Sequence, residues 1–317
     1  MINVLFIIFG LLLLIKGSDF MTDGAIQLSK KFGVSELFIG LTLVSFGTSA
    51  PELVVGVAAS LKGSGIVMGN VVGSNIANLG LILGLVLIFK GSKVDKSTIK
   101  YEMPFLIFLS TLLTIFMITN SGNLSRLHSI IFLILLIIYI YYLFKMAVKD
   151  ASLKAQLTSE VKEEKLYSLG KIILLTILGL VMLTIGGDIT VDNAIEIAKR
   201  LNVSETLIGI TIVAIGTSLP ELATSISAAR KNASSLVIGN LIGSNIFNIL
   251  IILGISGIIS PIIPDKNMLF DTFIALIIPF FIFCFIKIKK ENVLTRFSGI
   301  IIIIIYILYM AFRIIWR

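Results

Sequence analysis

The sequence IGLTLVSFGTSAPEL at residues 39–53 is followed by MGNVVGSNIAN at residues 68–78. Both phrases return later in the chain, as IGITIVAIGTSLPEL at 208–222 and IGNLIGSNIFN at 238–248. Each copy places one carboxylate, Glu52 or Glu221, in an otherwise apolar stretch. Because a carboxylate inside a bilayer is costly, one that occurs twice in matched surroundings indicates an ion site.

The composition predicts a membrane protein. Hydrophobic residues make up 57% of the chain and charged residues 14%, whereas soluble domains are about 25% charged. The mean hydropathy is +1.07, and several apolar runs reach the roughly 20 residues that cross a bilayer core. These runs are continuous rather than alternating, so we predict helices and not a β-barrel.

Residue counts exclude other classes of site. The single Cys284 and the single His128 exclude an internal disulfide and a metal site rich in Cys or His. The net charge of +8 is accounted for by basic loops that orient a membrane protein, so we expect the lipid bilayer and no nucleic acid as partner. We also expect no cofactor and no obligatory protein partner.

We predict an all-α polytopic membrane protein of ten transmembrane helices. The predicted helices span residues 2–30, 35–61, 66–90, 102–119, 125–147, 167–199, 204–229, 235–259, 268–287 and 296–315. One long polar segment, a predicted cytoplasmic linker at 148–166, separates a first half at 1–147 from a second half at 167–317.

The two halves repeat each other. Matched positions lie 169 residues apart as far as Glu52 and Glu221, and 170 apart at Gly73 and Gly243. Since each half holds five helices, an odd number, the second copy enters the membrane in the opposite sense. We therefore predict two inverted five-helix repeats. With both termini outside, 18 Lys or Arg residues lie on inner loops and 7 outside, with Lys16 inside the first helix, as the positive-inside rule requires.

The GTSAPE and GTSLPE motifs are predicted to break their helices. Gly permits unusual backbone angles and Pro removes an amide donor, which leaves carbonyl oxygens free. Hydroxyl, carboxylate and carbonyl oxygens suit hard cations such as Ca²⁺ and Na⁺ rather than Zn²⁺ or Cu⁺. The alternative is that Gly and Pro only kink the helices while Glu caps one half, and the duplication argues against it.

The second pair of motifs supplies further polar groups. Ser74 and Asn78 lie one turn apart on one helix face, as do Ser244 and Asn248, so these four side chains are candidate ligands. The glycines spaced at four residues are expected to allow close helix packing. The remaining asparagines of these motifs are expected to cap or bridge helices: Asn70, Asn75, Asn240 and Asn245.

Another duplicated acidic pair is Asp19 and Asp188. We expect each to lie near an end of its helix, where solvent at the membrane interface stabilises the charge. A role in transport is the alternative.

These motifs resemble the sodium/calcium exchanger family of the calcium/cation antiporter superfamily, and among its members the prokaryotic type without a regulatory domain. The resemblance covers essentially the whole chain and is most specific at 39–78 and 208–248. It implies ten helices in two inverted repeats, with helices 2, 3, 7 and 8 forming the ion-binding core and helices 1 and 6 sliding across it. The implied function is antiport of Na⁺ and Ca²⁺, electrogenic at about three Na⁺ per Ca²⁺, in the cell membrane and without enzymatic activity.

The resemblance also implies ligands. Glu52 and Glu221 would be the Ca²⁺ carboxylates, completed by the carbonyls of Thr48 and Thr217. One Na⁺ site would be formed by the Ser45 carbonyl, Ser49, Glu52 and Ser74. The other would be formed by the Ala214 carbonyl, Thr217, Ser218, Glu221 and Ser244. Asn78 and Asn248 would line the middle.

The chain departs from part of the family at Asn248, where some members, including potassium-dependent ones, carry Asp. Two carboxylates rather than three put K⁺ co-transport in doubt. A Ca²⁺/H⁺ antiporter of the same superfamily is the closest alternative function, although hydroxyl and carbonyl cages favour Na⁺. A cation channel needs a continuous pore, and an intramembrane enzyme lacks support because no HExxH or GxSxG motif occurs.

Overall fold

The computed structural model describes residues 2–63, 65–157, 166–201, 214–264, 268–288 and 292–315, and these residues are almost entirely helical. The helices are α1 (Ile2–Phe32), α2 (Glu36–Thr48), α3 (Ala50–Leu61), α4 (Ile66–Phe89), α5 (Thr98–Thr119), α6 (Arg126–Leu157), α7 (Leu169–Arg200), α8 (Leu219–Arg230), α9 (Ser234–Ile259), α10 (Met268–Ile288) and α11 (Arg296–Ile315). A single turn at Ala214–Gly216 precedes α8. Strands β1 (Ser92–Lys93) and β2 (Val293–Leu294) pair antiparallel and join the loops after α4 and α10.

Eight of these helices are long and apolar enough to cross a membrane, and α2 with α3 adds a ninth span bent by 46°. The protein is therefore a multi-pass, all-helical membrane protein, as predicted. The predicted helix at 204–229 lies partly outside the described residues. Helix α8 corresponds to its second part. The largest boundary differences from the prediction are that α5 begins at Thr98 rather than at residue 102 and that α6 continues to Leu157, into the predicted linker.

The predicted helix breaks at the two Pro-Glu motifs are confirmed. Pro51 and Pro220 occupy the first turn of α3 and α8, where a missing amide hydrogen costs nothing. Two positions before each proline, Ser49 and Ser218 have nearly the same backbone geometry. The angles are φ −89° and ψ 3° at Ser49 and φ −93° and ψ 9° at Ser218. Ser49 and Ser218 are both buried, so each half-helix begins in the interior of the protein, and the bond from Ser49 to Glu221 brings the two amino ends together.

Helices α1 and α7 form a pair that packs backbone to backbone. A Cβ added at Gly17 would lie 2.9 Å from the carbonyl oxygen of Gly179, and one added at Gly186 would lie 2.8 Å from that of Gly10. Glycine is required at such contacts because any side chain would force the helices apart.

Helices α4 and α9 form the buried centre. In an apolar stretch of 18 residues from each helix, 78% of the residues of α4 and 94% of those of α9 are buried, against 28% for α1. Each contains a wide π-helical turn, at Ala77–Ile82 in α4 and at Asn248–Leu253 in α9. Such turns are rare and concentrate at functional sites, and here they begin beside Asn78 and at Asn248.

Asp19 and Asp188 do not lie near helix ends as expected, but well inside the 31-residue α1 and the 32-residue α7. At about 1.5 Å per residue these helices are longer than the bilayer core, so a mid-helix residue still approaches an interface. Asp19 accepts a hydrogen bond from Ser227 at 2.7 Å. Lys231 lies 2.8 Å from Asp23 Oδ1 and donates to the Asp19 carbonyl at 3.0 Å. We call these four residues the Lys231 clasp, which joins α1 to the end of α8.

Candidate cation-binding site

The two duplicated carboxylates are buried in the centre of the molecule. Glu52 lies in the first turn of α3 and Glu221 in the first turn of α8, and they are 1% and 0% exposed. The positive end of each half-helix favours a carboxylate there. Within the described part of the chain, neither oxygen of Glu52 and only one oxygen of Glu221 has a hydrogen-bond partner. A buried carboxylate in this condition is stabilised either by a compensating cation or by a bound proton.

Hydroxyl groups of the predicted site form contacts between the two repeats. Ser49 donates to Glu221 Oε1 at 3.2 Å. The Oγ of Ser74 lies 3.4 Å from Oγ1 of Thr217. The Ser244 hydroxyl donates to the carbonyl of Ser45 at 3.5 Å. Motif residues from the first repeat thus meet motif residues from the second.

Thr48 lies on the same inner surface and is 1% exposed. Its hydroxyl lies 3.3 Å from Asn240 Oδ1 and 3.4 Å from the Ser45 carbonyl, and Asn240 in turn donates to Ser225 at 3.4 Å. Asn240 therefore bridges helices, as the sequence predicted. Ser225 and the nearby buried Thr224 were not singled out from sequence, because their repeat counterparts are Gly56 and Val55 and carry no hydroxyl.

Four asparagines form a reciprocal ring across the centre. Asn75 donates to the carbonyl of Asn245 at 3.2 Å, and Asn245 donates to the carbonyl of Asn75 at the same distance. Asn78 donates to the side-chain oxygen of Asn245 at 3.1 Å, and Asn248 donates to that of Asn75 at 3.0 Å. The ring uses the NH₂ groups of Asn78 and Asn248, so the side-chain oxygens of these two residues are left for another partner.

Several buried oxygens in this region have no partner among the described residues. They are both Oε atoms of Glu52, Oε2 of Glu221, Oγ of Ser218, Oγ1 of Thr224 and Oδ1 of Asn78 and of Asn248. Each would cost about 1–3 kcal/mol if it stayed unsatisfied. Oxygen atoms from carboxylates, amides and hydroxyls are the ligands of Ca²⁺, which takes six to eight.

The site holds little charge beyond its two carboxylates. Among the described residues there is no group of three or more His, Cys, Asp or Glu side chains that could hold a metal ion. Two ionised carboxylates would be matched by one divalent cation, and neutral oxygens would supply the rest of its coordination.

Part of the predicted ligand set is differently connected in the structure. The implied Na⁺ cage combined Ser45, Ser49, Glu52 and Ser74, whereas Ser49 is bonded to Glu221 and Ser74 is near Thr217. Ala214 belongs to the turn before α8, and the residues that precede it lie outside the described part of the chain. All the ligand assignments therefore stay predictions: Glu52, Glu221, Ser45, Ser49, Ser74, Thr48, Thr217, Ser218, Ser244, Asn78, Asn248 and Ala214.

Comparison with known proteins agrees with this arrangement. The family model described as sodium/calcium exchanger protein matches residues 2–145 and 171–315. The chain is 38% identical to the sodium/calcium exchanger MaX1 of Methanosarcina acetivorans, over 98% of both chains. It is 34% identical to the uncharacterized membrane protein MJ0091 of Methanocaldococcus jannaschii, over 98% of this chain and 97% of the relative.

A solved structure is similar over the same extent. The sodium-calcium exchanger NCX_Mj, soaked with 2.5 mM Na⁺ and 0.1 mM Ca²⁺, superimposes with a TM-score of 0.83 at 32% sequence identity, over 98% of each chain. The family is a family of transporters and not of enzymes. Taken with the buried oxygen site, the matches over both halves show that this chain belongs to the sodium/calcium exchanger family.

Proposed function

We propose that this protein exchanges Na⁺ for Ca²⁺ across the cell membrane by alternating access, electrogenically and with about three Na⁺ for each Ca²⁺. The observation that carries the proposal is the burial of Glu52 and Glu221 among oxygens that lack partners in the described residues, with Ser49 of the first repeat bonded to Glu221 of the second. The two carboxylates balance one Ca²⁺, and the hydroxyls around them suit Na⁺. Because Na⁺ and Ca²⁺ would use the same carboxylates, bound Na⁺ would exclude Ca²⁺ and bound Ca²⁺ would exclude Na⁺. This mutual exclusion is the condition for exchange.

We infer that the complete architecture is ten helices in two inverted repeats. The matched breaks before Pro51 and Pro220, the matched wide turns in α4 and α9, and the reciprocal asparagine ring support this inference. An axis in the membrane plane that related the repeats would put the ion site at the midplane, where both half-helices begin.

We infer that both termini lie outside the cell and that the polar segment 148–166 is cytoplasmic, from the distribution of Lys and Arg. A cysteine at the exposed Ser152, introduced after Cys284→Ser, should react with an impermeant reagent only from the cytoplasmic side. Reaction from outside would overturn the orientation and leave the exchange mechanism intact.

Alternating access is supported by a difference between the two ends of the molecule. In the proposed orientation, the Lys231 clasp joins α1 to α8 on the cytoplasmic side. Its counterparts on the external side are Lys62, Asp188 and Asp192, and within the described residues their side chains form no ion pair. We infer that the clasp stabilises a state closed on the cytoplasmic side, in which the matching external contact is not formed. Sliding of α1 and α7 would reverse it.

The decisive experiment is Ca²⁺ uptake into vesicles that contain the purified protein. An outward Na⁺ gradient should drive uptake, and an inside-positive potential should accelerate it, since more positive charge leaves than enters. Uptake driven by a proton gradient without Na⁺ would favour the Ca²⁺/H⁺ alternative, which two buried carboxylates alone could support. Ca²⁺ flux that needs no counter-ion gradient would favour a channel. Transport should not require K⁺, because no third carboxylate is present to balance it.

A further inference from the structure

A second buried carboxylate site lies between α5 and α6, and its Tyr139 ring lies 5.9 Å from the ring of the motif residue Phe247. Glu102 is 1% exposed and lines a cavity of about 370 Å³, within the range of roughly 300–1,000 Å³ typical of small-ligand pockets. Tyr142 donates a hydrogen bond to Glu102 Oε1. The other oxygen, Oε2, has no partner among the described residues, and neither has the hydroxyl of Tyr139, which is 2% exposed.

The walls of the cavity are aromatic. The ring centroids of Phe105 and Tyr139 lie 5.4 Å apart, those of Tyr139 and Tyr142 6.2 Å, and those of Tyr101 and Tyr142 5.8 Å. Aromatic faces around a carboxylate are the environment that binds organic ammonium groups, through cation–π attraction and ionic pairing. An anionic group at this depth would be repelled by Glu102.

The mouth of the cavity has the opposite charge and an apolar border. Lys100 lines the cavity and its ammonium lies 5.1 Å from the centre of the Tyr101 ring. Ile138, on the other side, is 55% exposed. Glu102 itself lies in the first turns of the span 98–119, at the depth of the membrane interface where Tyr side chains concentrate.

We propose that this cavity binds the headgroup of a zwitterionic phospholipid. The lipid ammonium would occupy the tyrosine-lined end beside Glu102, its phosphate would pair with Lys100, and its acyl chains would extend along the exposed face at Ile138. The negative Glu102 at the deep end would face the positive ammonium group, and the positive Lys100 at the mouth would face the negative phosphate. No part of the cation site described above is used.

The first test needs no variant. Native mass spectrometry of the purified protein would compare phosphatidylethanolamine, its N-acetylated form, which lacks the positive charge, and phosphatidylglycerol. We expect phosphatidylethanolamine to bind about tenfold more tightly than either. Equal binding of the capped and uncapped lipids, or strongest binding of phosphatidylglycerol, would overturn the proposal.

Variants locate the binding. Glu102→Gln should abolish the preference for the uncapped lipid, and Tyr139→Phe should weaken it by removing the unpartnered hydroxyl. Tyr141→Phe is the matched control, because Tyr141 is 58% exposed and does not line the cavity. An unchanged preference in Glu102→Gln would contradict the proposal. If that variant does not elute as a single species, the comparison of capped and uncapped lipids on the wild type decides alone.

A competition experiment separates a lipid from a soluble amine. Free ethanolamine lacks the phosphate and acyl chains, so we expect it not to displace phosphatidylethanolamine at equal concentration. Displacement at equal concentration would show that a water-soluble amine is the occupant and would overturn the lipid assignment.

Discussion

Lys231 and Lys62 follow matched half-helices in the two repeats, yet only Lys231 is held by acidic side chains. Lys231 contacts Asp19 and Asp23 of α1. The Lys62 side chain forms no ion pair in the part of the chain that the structure describes, and Asp188 on the matching helix is exposed. The sequence contributes to this difference, since Ser227, which bonds to Asp19, is replaced by Ala58 at the matching position.

The asparagines and the helix breaks at the centre of the molecule show the contrary pattern. The asparagine ring is reciprocal, with each repeat giving and accepting equivalent bonds. The two breaks before Pro51 and Pro220 agree within a few degrees of φ and ψ. The helix breaks and the asparagine bonds are matched between the repeats, whereas the contacts of the two carboxylates differ, since Ser49 bonds to Glu221 and Ser218 has no partner among the described residues. A matched framework at the ion site is what alternating access requires. The ion site has to serve both access states, whereas a peripheral contact belongs to one of them.

The largest expected effect tests the symmetry of the centre. Glu52→Gln and Glu221→Gln should each abolish Na⁺-driven Ca²⁺ uptake, by at least about 100-fold, because one carboxylate cannot balance a buried divalent cation. The measurement is initial uptake into vesicles at matched protein density. Glu196→Gln is the control, since Glu196 is exposed and pairs only with Arg200 on its own helix. Near-normal uptake in either site variant would show that the repeats do not contribute equally.

Some of this centre could be predicted from sequence and some could not. The breaks at Pro51 and Pro220 were predictable because Gly and Pro act on their own helix. Glu52 and Glu221 were predictable because a charged residue in an apolar segment indicates a functional site, whichever helices pack around it. The asparagine ring needs contacts between residues about 170 positions apart, which a single sequence does not specify.

The same limit explains the differences outside the ring. Ser49 was predicted beside Glu52, its neighbour one turn along, but it bonds to Glu221 of the other repeat. Asp19 was predicted near a helix end in contact with solvent. Its side chain is partly exposed, but it lies inside the long α1, where Ser227 of α8 and Lys231 at the end of α8 contact it. Whether a helix forms depends on the local sequence pattern. Which residues of another helix a side chain contacts depends on how the two helices are aligned and tilted.

The next effect concerns the ring itself. Asn75→Ala removes the acceptor of Asn248, and Asn245→Ala removes the acceptor of Asn78. Each should raise the Ca²⁺ concentration for half-maximal uptake by about tenfold, because a freed amide no longer fixes the direction of its oxygen. Asn193→Ala is the control, since Asn193 bonds to a carbonyl of its own helix. A large loss in only one ring variant would contradict the reciprocal arrangement.

A smaller effect distinguishes Na⁺ from Ca²⁺ ligands. Ser74→Ala and Ser244→Ala should each weaken the dependence on Na⁺ more than the affinity for Ca²⁺, by about threefold to tenfold, because one hydroxyl is a larger share of a small monovalent cage. Both ions would be titrated against uptake in each variant. Equal losses for the two ions would assign these hydroxyls to packing between the repeats.

The smallest expected effect concerns the comparison between Lys231 and Lys62. Lys231→Gln removes the ion pair with Asp23 and the bond to the Asp19 carbonyl, so it should destabilise the state closed on the cytoplasmic side. Partly exposed ion pairs contribute about 0–1 kcal/mol, so the population should shift by no more than about fivefold. Lys62→Gln should shift the population in the opposite direction, because Lys62 would pair with Asp188 and Asp192 only in the other state.

Accessibility of a cysteine at Ser18, in the Cys284→Ser background, would report the shift. Ser18 lies in the crevice between α1 and α8, and its labelling from the cytoplasmic side should rise in Lys231→Gln and fall in Lys62→Gln. Shifts in the same direction for both lysines would show that the two ends do not alternate.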